Sequence, residues 1–168
     1  MRKKIQQRKT LLIVGEGDTE WAFLTYLKRV YCQGKNTVKV TVRNAHGKGP
    51  EHVFDYAKRC CRTADYDKVA VFMDTDIAWT KALLAQAEKL GIVLIGNTPC
   101  VEGLFLTLLN KSVPGLSADC KTKIKPLLKK NNLLNPDDYG NWCTESLLDD
   151  PKFKGQAFGD LIKLYKGQ

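Results

Sequence analysis

Five acidic residues pose the chemical question. Glu16 and Glu20 belong to Gly15-Glu16-Gly17-Asp18-Thr19-Glu20, which follows the apolar run Leu11-Leu12-Ile13-Val14. Asp74 and Asp76 close a second run, Val69-Ala70-Val71-Phe72-Met73, and Glu102 comes just after a third, Ile92-Val93-Leu94-Ile95. In a parallel α/β sheet the loops at the carboxyl ends of the strands converge on one edge, where ligands bind. Carboxylates brought together there repel one another unless a cation lies between them. A hard divalent cation takes oxygen ligands: one or two carboxylates, waters and substrate phosphate. Asp74 and Asp76, two apart at a strand end, are expected to project to the same side. Such a pattern suits metal-dependent phosphoryl transfer.

Gly15-x-Gly17 invites comparison with the dinucleotide fingerprint G-x-G-x-x-G, but Glu20 stands where the third glycine would be. A helix N-terminus carrying Glu16, Asp18 and Glu20 repels a bare pyrophosphate. The chain also has no G-x-x-x-x-G-K-[ST] loop. Each acid has a plainer reading beside the metal one. Glu16 suits a solvated loop, Glu20 and Glu102 suit the first turns of helices, and one of the two aspartates suits a helix cap. Lys48, in Gly47-Lys48-Gly49, and the basic start with Arg2, Lys3, Lys4, Arg8 and Lys9 are candidates for phosphate contact. They serve equally well as solubilising charge. His46 shares the Lys48 loop, as a proton shuttle or a bystander.

The elements that must position these groups follow from patterning. Continuous apolar runs predict buried strands at 11–15, 68–73 and 92–95, and the alternation of Val38, Val40 and Val42 predicts an edge strand over 37–42. Helices are expected over 19–31, capped by Asp18; over 50–62, with Pro50 in the first turn; over 78–90, stopped by Gly91; and from Thr98-Pro99 onward. The helix over 78–90 would carry Trp79, Leu83, Leu84, Ala87 and Leu90 at helical spacing. Residues 33–36 read as a turn. The alternation β-α-β-α-β-α-β-α implies a mainly parallel sheet covered on both faces. Beyond 112 the pattern weakens to a basic helix over 119–130, a turn-rich stretch and a last helix over 158–165. The expected organisation is a basic arm (1–9), an α/β catalytic domain (10–112) and a C-terminal helical extension (113–168) packed on it.

Net charge is +9, and its placement is uneven. Residues 1–62 hold 14 Lys/Arg against 5 Asp/Glu, whereas 63–116 hold 4 against 6. Basic flanks around an acidic middle fit a polyanion held over a metal. The 6 cysteines form no C-x-x-C pair and no zinc-like spacing with histidine, so free thiols are expected. No apolar run approaches the ~20 residues of a membrane span. The basic start lacks a signal-peptide core, which gives an expected cytoplasmic location.

With these residues in view, the chain resembles a known family. Strand-Gly-Glu-Gly-x-Thr-Glu-helix followed by a strand ending in Asp-x-Asp is similar to the TOPRIM catalytic domain of topoisomerases, primases and related nucleases. Within that group it most resembles the RloB-like proteins, found near restriction and phage-defence loci. Their E-G-x-T-E motif is matched by Glu16-Gly17-Asp18-Thr19-Glu20, and their Asp pair by Asp74 and Asp76. Their N-P-C-F-E-x-W motif is echoed by Asn97-Thr98-Pro99-Cys100-Val101-Glu102, with Thr98 inserted, Val101 for the aromatic residue and no tryptophan after Glu102. The resemblance spans residues 10–110. It implies a TOPRIM-like Rossmannoid fold and a Mg²⁺-dependent nuclease, with Mn²⁺ as substitute, cutting DNA or RNA in a defence setting. Glu16 would act as ligand or general base, Asp74 and Asp76 would hold Mg²⁺, and Glu20 and Glu102 would support a metal. A separate ATPase partner is implied too, while monomer and homodimer stay open. The alternatives are a non-catalytic nucleic-acid-binding or sensor subunit, and a small-substrate phosphatase-like enzyme.

Overall fold

Strands that are apolar on both faces need helices above and below them, and this chain supplies both layers. The structure, a computed structural model, describes residues 8–35 and 37–168. Strands β1 (Thr10–Gly15), β2 (Lys39–Asn44), β3 (Lys68–Asp74) and β4 (Ile92–Asn97) run parallel in the order β2-β1-β3-β4. Side chains alternate across β1. Leu11 and Ile13 face one core with helices α1 (Asp18–Tyr31) and α4 (Val101–Leu108). Leu12 and Val14 face the other with α2 (Pro50–Cys61) and α3 (Lys81–Leu90). The chain leaves β1 toward β2, then crosses over to β3 on the other side. The order therefore reverses between β1 and β3, where open α/β sheets form their ligand crevice.

The C-terminal third builds no core of its own. It contains α5 (Ser117–Leu128), the short α6 (Glu145–Leu148), α7 (Ala157–Tyr165) and 3₁₀ turns at Pro136–Asn141 and Pro151–Phe153. Cys120, Ile124, Tyr139, Leu161 and Tyr165 are buried in the same cluster as α1 and α4. α7 lies over β4 and beside α1, so it completes the helical layer that α1 begins. The buried Tyr165 hydroxyl donates to the Leu24 carbonyl at 2.7 Å, which ties the last helix to the first. Phe23 sits at the centre of this layer. Its ring lies 5.1 Å from that of Phe105, 5.5 Å from Tyr139 and 6.2 Å from both Phe72 and Phe158.

Several local expectations are corrected by tertiary contacts. Asp18 does not cap α1; Gly17 holds the N-cap position, and the Glu20 carboxylate accepts its N–H. The third helix begins at Lys81, not Ala78, because the Thr80 side chain accepts the Leu83 N–H; Trp79 stays outside it. Leu83 and Ala87 carry the buried face of α3, whereas Leu84 and Leu90 are exposed. β2 starts two residues late, at Lys39 opposite Thr10, since β1 offers no earlier partner. Thr98–Pro99 is a cis peptide preceding α4, whose N-cap is Cys100. The helix expected over 119–130 spans Ser117–Leu128, with Pro126 inside it. Asn36 of the expected turn lies outside the described residues, as do Arg2, Lys3 and Lys4.

Phe23 joins α1 to β3, α4, the first 3₁₀ turn and α7, so its loss is felt across the layer. Phe23→Ala should cost about 3–5 kcal/mol. Urea denaturation should show one transition shifted to lower midpoint, followed alike by far-UV dichroism and tryptophan fluorescence. Two separated transitions would show that the extension folds independently.

Candidate functional site

The site begins where β1 ends. A side chain on Gly15 would place its Cβ 3.0 Å from Glu20 Cβ and 3.1 Å from the Trp21 nitrogen, so glycine lets α1 fold back tightly over the strand end. Glu16 is then fixed by its backbone. Its N–H donates to the Phe72 carbonyl at 3.1 Å, and its carbonyl accepts the Gly47 N–H at 2.7 Å. With its backbone bonded to β3, its Oε2 accepts the Asp74 N–H at 3.0 Å. Glu20, in the first turn of α1, is buried, and its Oε2 accepts the Gly17 N–H at 3.0 Å. The two acids of the first motif thus face the crevice between β1 and β3.

Asp74 ends β3, and its Oδ1 accepts the Val101 N–H at 2.9 Å, capping α4 rather than the helix that follows it in sequence. Two further contacts hold its loop. Trp79 Nε1 donates to the Asp74 carbonyl at 3.1 Å, and the Thr75 N–H donates to the Asn97 carbonyl at 3.0 Å. A Cβ on Gly96 would lie 2.7 Å from Thr75 Cγ2 and 3.0 Å from the Trp79 ring, so this loop closes only over glycine. Asp76 is one step further out. It is exposed, its N–H donates to the Pro99 carbonyl at 3.1 Å, and its Oδ2 accepts the Ser117 hydroxyl at 2.8 Å. Glu102 follows Val101 in the first turn of α4 and is buried.

Burial and mutual repulsion couple these groups. Burial, then the charges of Glu20, Glu16, Glu102 and Asp76, push the Asp74 carboxyl up to about 8. Burial pushes Glu20 up to about 7, with Glu102 and Glu16 adding to the rise against opposing hydrogen bonds. Glu102 Oε2 and Asn97 Nδ2 are buried with no hydrogen-bond partner among the described residues. An orphaned buried oxygen beside several like charges is the environment a cation satisfies. In this conformation no group of three His, Cys, Asp or Glu side chains among the described residues is arranged to hold a metal ion. Glu16, Glu20 and Asp74 are each engaged by a backbone N–H, and Asp76 by Ser117. The donor set is all oxygen, as a hard divalent ion requires.

Two contributors were not visible in the sequence. Ser117 and Lys121, one helical turn apart on α5, face the acids from the C-terminal extension. Ser117 bonds Asp76, and the ammonium of Lys121 is held above its ordinary range, first by Glu102 and also by Asp74 and Glu20. Their i, i+4 spacing is the available signal, but nothing local says that α5 returns to the strand ends. The predicted phosphate-binding lysines and arginine divide. Lys48 is exposed next to Gly47, which grips the Glu16 carbonyl, and His46 is exposed in the same loop. Arg8 and Lys9 are at the other end of the sheet, where Arg8 Nε donates to the Thr37 carbonyl at 2.8 Å and Lys9 Nζ to the Gly167 carbonyl at 2.9 Å. They do not line the acidic site.

Comparison with curated proteins and with solved structures gives no match. A family profile described as RloB-like protein matches residues 11–148, which contain the four strands except Thr10, the five acids, Ser117 and Lys121. That match covers most of the chain and runs well past the last strand, so the chain belongs to the RloB-like protein family.

Proposed function

We propose that this protein is a TOPRIM-like, Mg²⁺-dependent nuclease that hydrolyses phosphodiester bonds of DNA or RNA. The observation that carries this reading is the contact between Glu16 and Asp74, whose N–H the Glu16 carboxylate accepts, beside buried Glu20 and a buried Glu102 oxygen that has no hydrogen-bond partner among the described residues. Asp74 and Glu16 are the principal candidates to hold Mg²⁺ or Mn²⁺, with Glu20, Asp76 and Glu102 around them. A bound ion supplies positive charge to the reacting phosphate and lowers the pKa of a water at neutral pH.

The chain's own residues do the remainder. Glu16 stands between β1 and β3 with its backbone bonded on both sides, which suits a group that accepts a proton from water at a fixed position. Lys121 offsets the negative charge that Glu102, Asp74 and Glu20 place on a substrate's path. Lys48, at the rim, suits a neighbouring phosphate. All six cysteines are free thiols, which fits work in the reducing cytoplasm. No helix among the described residues is long and apolar enough to cross a membrane. A place in restriction or phage defence, with a separate ATPase supplying energy-dependent control, extends the same proposal.

Incubation of the protein with plasmid, single-stranded DNA and structured RNA tests the activity directly. Cleavage is expected with Mg²⁺ or Mn²⁺ and none with EDTA. Asp74→Asn and Glu16→Gln should each lower the rate about 100-fold or more while the far-UV spectrum is kept. Binding without cleavage under every metal condition would replace the enzyme by a sensor or binding subunit.

Metal-free stability should depend on pH in a defined direction. Asp74 and Glu20 have folded pKa values of about 8 and about 7, above their ordinary 3.8 and 4.5. Their contribution is therefore full below the ordinary values and is lost as pH rises through the folded ones. In EDTA the melting temperature should fall between pH 5 and pH 8. Mn²⁺ should restore it most at pH 8, because the ion takes the ionised carboxylates. Asp74→Asn should flatten the slope and remove most of the Mn²⁺ effect. A wild-type melting temperature indifferent to Mn²⁺ at pH 8 would count against a metal site.

A further inference from the structure

Part of the basic charge of the first third lies along the β2 edge of the sheet. β2 pairs only with β1, so its outer backbone groups have no partner strand among the described residues. A groove of about 370 Å³ runs along this edge, bordered by every residue from Val38 to Arg43. Four cations frame it: Lys39 and Arg43 from β2, Lys28 from α1 and Arg8 from the segment before β1. All four are exposed, and among the described residues none makes an ion pair with a carboxylate. Among the described residues no acidic one borders the groove.

Placement gives this charge a use. Lys39 and Arg43 share one face of β2, four residues apart, or about 13 Å along the strand. That length matches the axial rise of roughly four nucleotides of one nucleic-acid strand. Lys28 reaches the edge from the α1 layer and Arg8 stands at its far end, held to Thr37 through Nε at 2.8 Å. The Arg43 end is the end nearer the acidic site. Arg43 lies opposite Val14, two residues before Glu16. The loop that follows β2 bonds the Gly15 and Glu16 carbonyls through the Ala45 and Gly47 N–H groups. Lysines and arginines also keep edge strands from pairing with other chains, but that role needs no cation from α1 or from the segment before β1.

We propose that the β2 edge groove binds the phosphodiester backbone of a nucleic-acid strand and leads it toward the Glu16 end of the sheet. The binding itself stands without the nuclease reading; the direction of the track rests on it. A polyanion matches four cations that make no ion pair among the described residues, and uses the strand's outward N–H groups as further donors. An acidic peptide added as a strand is the rival occupant.

Fluorescence anisotropy of a labelled 12-nucleotide single strand, in EDTA so that nothing is cut, tests this. Lys39→Glu/Arg43→Glu should weaken binding at least tenfold and reduce the dependence on salt. Lys81→Glu/Lys89→Glu, the same charge change on α3 across the sheet, should weaken it less than threefold. Lys28→Ala alone should weaken it severalfold, and far-UV spectra and melting temperatures establish that each variant is folded. Equal losses for the two double variants would overturn the proposal, as would undiminished binding by the edge variant. An oligo-glutamate peptide that binds the groove more tightly than the oligonucleotide would assign it to a protein partner instead. Since Asp74→Asn leaves the groove untouched, loss of cleavage with binding retained separates the fate of the catalytic reading from that of the groove.

Discussion

Like charges held out of water at the β1–β3 crevice are the constraint around which this molecule is arranged. An ionised carboxylate leaves water at a cost of several kcal/mol unless something opposite or hydrogen-bonding meets it. The chain meets that cost in three ways. Backbone N–H groups of Gly17, Asp74 and Val101 each donate to one acid. Protonation is favoured at Asp74 and Glu20, whose carboxyls titrate near neutrality. Lys121 brings an ammonium from another part of the sequence. One buried oxygen, on Glu102, still has no hydrogen-bond partner among the described residues. Residual repulsion of this kind is tolerated when binding is what relieves it.

The same constraint explains why the C-terminal third is fastened so firmly to the sheet. α5 contributes the Ser117 hydroxyl to Asp76 and, at Lys121, a positive charge that Glu102 favours, while Cys120 between them is buried in the core that α1 and α4 share. Sliding α5 along α4 would break core packing and expose the acids to each other. Phe23, Tyr139 and Tyr165 carry that anchoring through to α1, so the helix that presents Glu20 is also the one that the extension grips. Site and core are mechanically one object here. Gly15 and Gly96 finish the arrangement, because a methyl group at either would push the loop bearing an acid away from its strand end.

Much of this was legible in residue order. Unbroken apolar runs announced β1, β3 and β4, and their ends marked Glu16 and Asp74 as neighbours across the crevice. Edge placement of β2 followed from its alternation with polar residues. What the order could not show was set by contacts between distant segments. Trp79 lies outside α3, where its indole bonds the Asp74 carbonyl, and Leu84 and Leu90 stay exposed because no element among the described residues covers that side of the helix. Asp74 caps α4, 27 residues away, where local reasoning offered only the helix next in line. Arg8 and Lys9 read as part of a basic arm, yet a strand has two ends and theirs is the wrong one for the acids. Lys121 was one lysine among several in a basic helix. Only the return of α5 to the sheet distinguishes it from Lys123 or Lys125.

The separation of charge across the sheet has a consequence for order of events. Acidic groups occupy the crevice at the middle of the sheet, and cations without an ion pair among the described residues occupy the β2 edge. A polyanion approaching from solution is repelled by the first and attracted by the second, over distances near the ~10 Å Debye length of ordinary buffers. It therefore meets the edge before the crevice. Neutralisation of the crevice by a cation would remove the barrier between the two, and protonation of Asp74 below about pH 8 and of Glu20 below about pH 7 lowers it. On the proposed reading the edge would set where a strand first rests, and the neutralisation of the crevice would set whether it moves inward.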